Sequence, residues 1–349
     1  MEKMILHHIK IVVLILILMS VSSCSKGDDD INDLSETIYV RHKQADMPAY
    51  IHGNASEKVF LIVLHGGPGG TGLQYRINTI KSEIEKNNAV VYFDQRGSGN
   101  SQGSYSEADV SVDLMAEDVL ALVKVLKAKY GNDSRFFLMG HSWGGTLGPA
   151  ALLKDQKDFL GWIDVDGSHD PKGAYNAYKI ALKEMADEQI VLQNNVEYWK
   201  GVQDVVKSVG ASYSDDDFYK LNRETHNAEK KLADDNIINE SKFDGESGSQ
   251  YNFFTNNWNS GKIQSILVKK GLFSKVSFTN RLSEIKIPSL VLWGKYDIIV
   301  PIVYAQEAYD NLGSRDKELF IFERSAHSPM FSEPDLFAEK VIEFINQYK

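Results

Sequence analysis

Short apolar runs of strand length alternate along this chain with segments of helical period, and few architectures satisfy that alternation. Val59-Phe60-Leu61-Ile62-Val63-Leu64 and Ala89-Val90-Val91-Tyr92-Phe93 are unbroken apolar runs, the pattern of strands covered on both faces. Between Val110 and Lys129, Leu114, Val119, Leu122, Val123 and Leu126 recur at helical spacing. Phe136 to Met139 returns to strand, a helix is expected from Gly144 to Lys154, and another strand from Leu160 to Val165. From about residue 168 to 271 the chain turns more polar and reads as a mostly helical insertion. Strand patterns resume at Ile287 to Trp293 and Leu319 to Phe322, and Glu333 to Tyr348 closes as a helix with Leu336, Val341, Ile342 and Phe344 on one face. The expectation is an α/β fold with a mostly parallel central sheet flanked by helices and carrying an inserted helical cap. With 349 residues, 43% of them hydrophobic, the chain can bury a core of that size.

Chemistry enters at Gly140-His141-Ser142-Trp143-Gly144-Gly145, which lies between an expected strand and an expected helix. A Gly-x-Ser-x-Gly turn in that setting presents a serine on a tight strand-to-helix corner, with the flanking glycines admitting close backbone contact. A serine hydroxyl becomes nucleophilic only when a base takes its proton. Of the nine histidines, His327 alone sits just past a late strand, in the chain order serine, acid, histidine. The acid belongs after the preceding strand, where Trp293-Gly294-Lys295-Tyr296-Asp297 supplies Asp297 to orient the imidazole. Asp310 and Asp316 are rivals by position, although their settings read as a helix and a turn.

Acyl transfer also needs donors for an oxyanion. His65-Gly66-Gly67-Pro68-Gly69-Gly70 follows directly on the first apolar strand, so the backbone N–H of Gly67, with that of Trp143 beside the serine, is the expected oxyanion hole. The competing reading is a plain tight turn, since Gly and Pro form turns anyway. A phosphate-binding loop is disfavoured because no Gly-Lys-Ser/Thr ending follows. The net charge of −10 argues against a nucleic-acid partner, which requires clustered excess Lys and Arg. Asp215-Asp216-Asp217 after Ser214 reads as a helix start rather than a calcium site.

Taken together, HGGPGG (65–70), DQRGSGNS (94–101), GHSWGG (140–145), GKYD (294–297) and the His327 segment resemble the prolyl aminopeptidase (proline iminopeptidase) family of α/β-hydrolases. The resemblance spans the core on both sides of the insertion. It implies the α/β-hydrolase fold, a Ser142, Asp297 and His327 triad, no metal or organic cofactor, and removal of an N-terminal residue, often proline, from short peptides. Relatives with the same core cleave other N-terminal residues or esters, so a carboxylesterase acting on small esters is the alternative. A catalytically idle surface binding protein is the reading from a different class. The Asp94 to Ser101 loop is a structural signature of that family. Its cap carries acidic side chains that capture the substrate amine; here no cap motif aligns, and Glu184, Glu188, Glu224 and Glu229 stand as candidates against the plainer reading that helix glutamates are solvated. Trp199, Trp258, Tyr198 and Phe253 line a pocket or form the cap's own core.

The N-terminus differs in kind. Lys3 and Lys10 precede an almost unbroken run of Ile, Val and Leu from Ile11 to Met19, the layout of a signal peptide and shorter than the roughly 20 residues of a membrane span. Val21-Ser22-Ser23-Cys24 resembles the lipobox of bacterial lipoproteins, and Cys24 is the single cysteine. Ser25 to Asp30 reads as a solvated linker and resembles the acidic export signal of surface lipoproteins. The expected organisation is a signal peptide at 1–23, an acidic tether at 24–35, core at 36–167 and 272–349, and the cap at 168–271. The implied location is an exported lipoprotein, anchored to the outer membrane through Cys24 and surface-exposed or facing the periplasm.

Overall fold

The computed structural model describes residues 29–103, 106–244 and 251–349, so the segment expected as a signal peptide and the lipidation candidate Cys24 lie outside the described residues. Among the described residues no helix is long and apolar enough to cross a membrane. Nine strands of the described residues form one sheet: β1 (Leu34–His42), β2 (Ala45–Gly53), β3 (Val59–Leu64), β4 (Ala89–Phe93), the short β5 (Gln102–Gly103), β6 (Arg135–His141), β7 (Phe159–Val165), β8 (Ser289–Gly294) and β9 (Lys317–Phe322). Their order is β1-β2-β4-β3-β6-β7-β8-β9, with β5 paired to β2. The β1–β2 and β2–β4 pairs are antiparallel, and every pair from β4 to β9 is parallel.

The unbroken apolar runs are explained by the layers. Phe60, Ile62 and Leu64 of β3 join one core cluster with Val119, Leu122 and Leu126. Val59, Leu61 and Val63 join a second with Phe337, Val341 and Phe344. Alternate side chains of one strand thus meet helices on opposite faces, and no position is left for water. Helix α1 (Val112–Tyr130) covers the first face; the Ser111 hydroxyl accepts from the Leu114 N–H at 3.1 Å at its start, and Gly131 closes it at φ +118°. A side-chain cap of this kind stabilises a helix by about 1 kcal/mol. Helix α2 (Gly144–Leu152) follows the serine turn, and the closing helix α8 (Pro334–Tyr348) covers the second face.

Between β7 and β8 the chain leaves the sheet and builds helices α3 (Ala174–Val191), α4 (Val196–Lys207), α5 (Asp215–Asp234) and α6 (Phe253–Lys269); α7 (Val303–Asn311) returns it to β9. The inserted helices bury Tyr178, Leu182, Trp199, Phe218, Leu221 and Leu232 together with Ile298 and Ala326 of the loops after β8 and β9. That shared cluster seats the helical layer over the C-terminal edge of the sheet, where ligands bind in open parallel sheets. Helix α5 starts at Asp215, with Ser214 Oγ accepting from the Asp217 N–H at 3.2 Å, the helix start read from the sequence.

The loop from Asp94 to Ser101 is a bracket for the edge of the site. Asp94 is fully buried, with Oδ1 accepting from the Gly72 N–H at 2.8 Å and the Tyr251 hydroxyl at 2.9 Å, and Oδ2 from the Asn100 N–H at 2.9 Å. Arg96 pairs in bidentate fashion with buried Asp118 at 2.8 and 2.7 Å. Gln95 ties two loops together, donating to the His65 carbonyl at 3.0 Å and accepting from the Trp143 indole at 2.8 Å.

Candidate active site

Every element of the site leaves the C-terminal end of a parallel strand. His65 to Gly70 follows β3, Ser142 follows β6, Asp166 follows β7, Asp297 lies just past β8 and His327 just past β9. Ser142 stands at φ +57°, a left-handed conformation that costs a non-glycine residue energy and recurs at functional turns. Its carbonyl accepts from the N–H groups of Gly145 at 2.8 Å and Ser168 at 2.9 Å, which fix the corner. An added Cβ at Gly140 would come within 2.4 Å of the Gly144 oxygen, and one at Gly144 within 2.3 Å of the Leu64 oxygen. The backbone contact itself therefore demands those glycines.

His327 Nδ1 lies 2.9 Å from Asp297 Oδ2. The other oxygen, Oδ1, accepts from the N–H groups of Ile299 at 2.9 Å and Val300 at 2.8 Å, so the carboxyl is fixed in orientation. Asp310, on α7, instead accepts from Gln306 at the surface, and Asp316 lies in the turn before β9. Burial pushes the His327 imidazole down, to about 3, which keeps it neutral and able to accept a proton. Burial raises Asp297 well above the usual carboxylate range, while its bonds to Val300, Asp166, Ile299 and Glu229 act in the opposite sense.

Ser142, Trp143, Gly66, Gly67 and His327 share the wall of a cavity of about 400 Å³. Gly66 abuts the serine so closely that a Cβ there would sit 3.2 Å from Ser142 Cβ. Among the described residues, neither the Gly67 nor the Trp143 backbone N–H has a hydrogen-bond partner, as donors kept for a developing oxyanion would be. Tyr178, Phe218, Tyr219 and Phe273 supply aromatic surface from the cap side. Trp199 is buried in the cap's own core and Trp258 is 76% exposed, so neither supplies that surface.

A second cavity of about 600 Å³ lies on the other side of His327, lined by Glu229, Asp234, Asn239, Glu240 and Ser328 among others. His226, Ile299 and His327 border both cavities. Of the four candidate glutamates, Glu184 and Glu188 are exposed on α3. Glu224 accepts from the Tyr198 hydroxyl at 3.3 Å between α4 and α5. Glu229 alone reaches the centre: it accepts from the N–H groups of Ile298 at 3.0 Å, Ile299 at 3.2 Å and His327 at 3.4 Å.

Two further residues belong to the site: Tyr75, which lies in no motif, and His141, which lies within GHSWGG beside the serine. Tyr75 donates to His141 Nδ1 at 2.6 Å and accepts from the Gly66 N–H at 2.9 Å, while His141 Nε2 donates to the His327 carbonyl at 3.0 Å. Only the Nε2–H tautomer of His141 satisfies both contacts, because a carbonyl only accepts. Burial, and after it the charge of His327, pushes His141 down to about 3 and keeps it neutral as this relay requires. His141, Asp166 and His327 bring donor atoms within 4.8 Å of one another, but both nitrogens of His141 and Nδ1 of His327 are already bonded, leaving an incomplete set for a metal.

Known proteins place this arrangement in context. The chain is 27% identical over 307 residues to a probable aminopeptidase of Bacillus subtilis, covering 82% of this chain and 89% of that protein. It is 28% identical over 290 residues to a proline iminopeptidase of Saccharolobus solfataricus, covering 82% and 84% respectively. The crystal structure of a proline iminopeptidase-related protein from Thermus thermophilus superimposes with a TM-score of 0.61 at 21% identity, covering 90% of this chain and 98% of that one, a likeness of fold. The family described as alpha/beta hydrolase fold matches residues 59–334, a span that contains the serine turn, the acid loop and the histidine, and the chain therefore belongs to the alpha/beta hydrolase family.

Proposed function

We propose that this chain is a serine hydrolase that works through an acyl-enzyme and removes an N-terminal residue, proline or a small one, from short peptides. The observation that carries the reading is the convergence of a strained Ser142, a His327–Asp297 bond of 2.9 Å and two partnerless N–H groups on one cavity. Ser142 Oγ attacks the substrate carbonyl as His327 Nε2 takes its proton, and Asp297 stabilises the imidazolium. The oxyanion accepts from Gly67 and Trp143 N–H. His327 then gives its proton to the departing amine, and a water activated by the same nitrogen releases the acid. The names of the relatives support the peptidase reading, and a second cavity that shares His226, Ile299 and His327 with the first leaves room beside the site for more of a peptide.

A carboxylesterase is the second reading, favoured by one observation: among the described residues no Asp or Glu lines the cavity at Ser142. A fluorophosphonate probe should label the protein and fail on Ser142→Ala; unlabelled folded wild type would point instead to a binding protein. Turnover of aminoacyl-naphthylamides that is abolished by blocking the amine supports the peptidase. Ester hydrolysis indifferent to a free amine selects the esterase. We further propose export and lipid anchoring at Cys24 in the outer membrane, with residues 24–35 as a tether. Incorporation of labelled palmitate that disappears in Cys24→Ser supports this, and its retention in the variant refutes it.

A further inference from the structure

Asp166 lies directly beside Asp297, yet the proposed chemistry gives it no task. It follows β7, is fully buried and is held at φ +44°, a conformation that the surrounding contacts must enforce on a non-glycine residue. Its Oδ1 accepts from the Gly294 N–H at 2.9 Å, while Oδ2 is buried and, among the described residues, receives no N–H or O–H other than a proton it could itself share with Asp297. Its carboxyl is a direct neighbour of Asp297, and Glu229 from α5 adds its charge to Asp166 and a side-chain hydrogen bond to Asp297. Three carboxyl groups thus face one another beneath a neutral imidazole, with His141, Tyr75 and Tyr178 as the other titratable neighbours.

Like charges this close cannot all ionise, and a buried group without donors is the one that keeps the proton. The donors are distributed unequally. Asp297 accepts from Ile299, Val300 and His327, and Glu229 from three backbone N–H groups, whereas among the described residues Asp166 accepts from Gly294 alone. A proton on Asp166 Oδ2 gives the orphaned atom a bond and adds a donor to Asp297, whereas an ionised Asp166 would leave Oδ2 unsatisfied and repel its neighbour.

We propose that Asp166 is held as a neutral carboxylic acid whose Oδ2–H donates to Asp297, making it a positioning residue that keeps Asp297 as the ionised partner of His327. This rests on the serine-hydrolase reading for its consequence, though not for its protonation state. Burial, followed by the charge of Asp297, pushes Asp166 well above the usual carboxylate range, in keeping with the geometry.

Two measurements on the full chain decide it. In infrared difference spectra at neutral pH between the wild type and Asp166→Asn, the carbonyl stretch of a protonated carboxyl is expected in the wild type and absent from the variant. This readout holds whether or not any substrate is turned over. In kinetics on an ester or aminoacyl-naphthylamide, Asp166→Asn keeps a donor toward Asp297 and an acceptor for Gly294, so kcat should fall by no more than about threefold. Asp166→Leu keeps neither, and kcat should fall about 10- to 100-fold, the usual scale for a partner that orients a functional ligand, with KM little changed. No carboxyl band removed by the Asn variant, or an Asn variant as impaired as Leu, overturns the proposal. Absence of turnover in the wild type would instead refute the hydrolase reading and leave the infrared result to decide Asp166.

Discussion

Tyr75→Phe isolates the relay that joins the glycine-rich loop to the histidine loop. The ring fits as before, so no cavity opens, and only the hydroxyl is lost from a side chain that is 2% exposed. Two buried partners are orphaned: the Gly66 N–H, 2.9 Å from the hydroxyl, and His141 Nδ1, 2.6 Å from it. Each unsatisfied buried group costs about 1–3 kcal/mol, so the variant should lose about 2–6 kcal/mol of stability. Urea unfolding at neutral pH should show this as a lowered midpoint at unchanged m. Gly66 precedes the proposed oxyanion donor Gly67, so kcat should also fall, about tenfold, which is less than the 10²–10³ lost when such a donor is removed outright. A stability loss below about 0.5 kcal/mol, the range of an indifferent surface substitution, would mean that the hydroxyl does not hold these loops together and would refute the relay.

Asp297→Asn should keep the Ile299 and Val300 bonds on its amide oxygen but present an amide N–H to His327 Nδ1, selecting the wrong tautomer. Steady-state kinetics should show kcat reduced about 10⁴-fold with KM little changed, and a loss under about tenfold would remove Asp297 from the mechanism. Arg96→Met leaves buried Asp118 without its bidentate partner and should cost about 3–5 kcal/mol in denaturation, with activity per folded molecule affected only through Gln95. Asp94 supplies a test by pH: burial raises it from 3.8 to about 6, so the folded chain holds a proton that the unfolded chain releases over this interval. Its contribution is full below about pH 4 and is lost as pH rises through 6, a decline of about 3 kcal/mol. Because pH 4.5 already lies above the unfolded value, the measured stability of wild type relative to Asp94→Asn should fall by about 2 kcal/mol between pH 4.5 and pH 8.

The sheet core was legible because a strand buried on both faces has no room for polar residues, so β3, β4 and β8 appear as apolar runs in the sequence. The β1–β2 hairpin escaped that reading. Its turn residues Lys43 and Gln44 both adopt positive φ, where Asn-Gly or Asp-Gly would have announced it, and the half-buried strand β1 interrupts its apolar face with Glu36 while exposing Ser35, Thr37, Tyr39 and Arg41. The expected tether accordingly runs two residues into β1, which starts at Leu34.

Local covalent demands write themselves into sequence: the backbone contacts at Gly140 and Gly144 exclude a Cβ, and the chain order of serine, acid and histidine follows from strand order. The sequence by itself therefore determined the α/β layers, the alpha/beta hydrolase resemblance and the three residues to examine. Tertiary structure alone decided which carboxyls meet. Asp166, Glu229, Tyr75 and His141 come from separate segments and converge only when the parallel strands align their C-terminal ends and the cap packs Phe218 and Leu232 against Ile298 and Ala326. Glu184 and Glu229 are indistinguishable as helix glutamates in sequence, and the rotation of their helices over the sheet turns one to solvent and the other to His327. A buried polar contact is fixed by geometry between distant segments, so no local pattern records it.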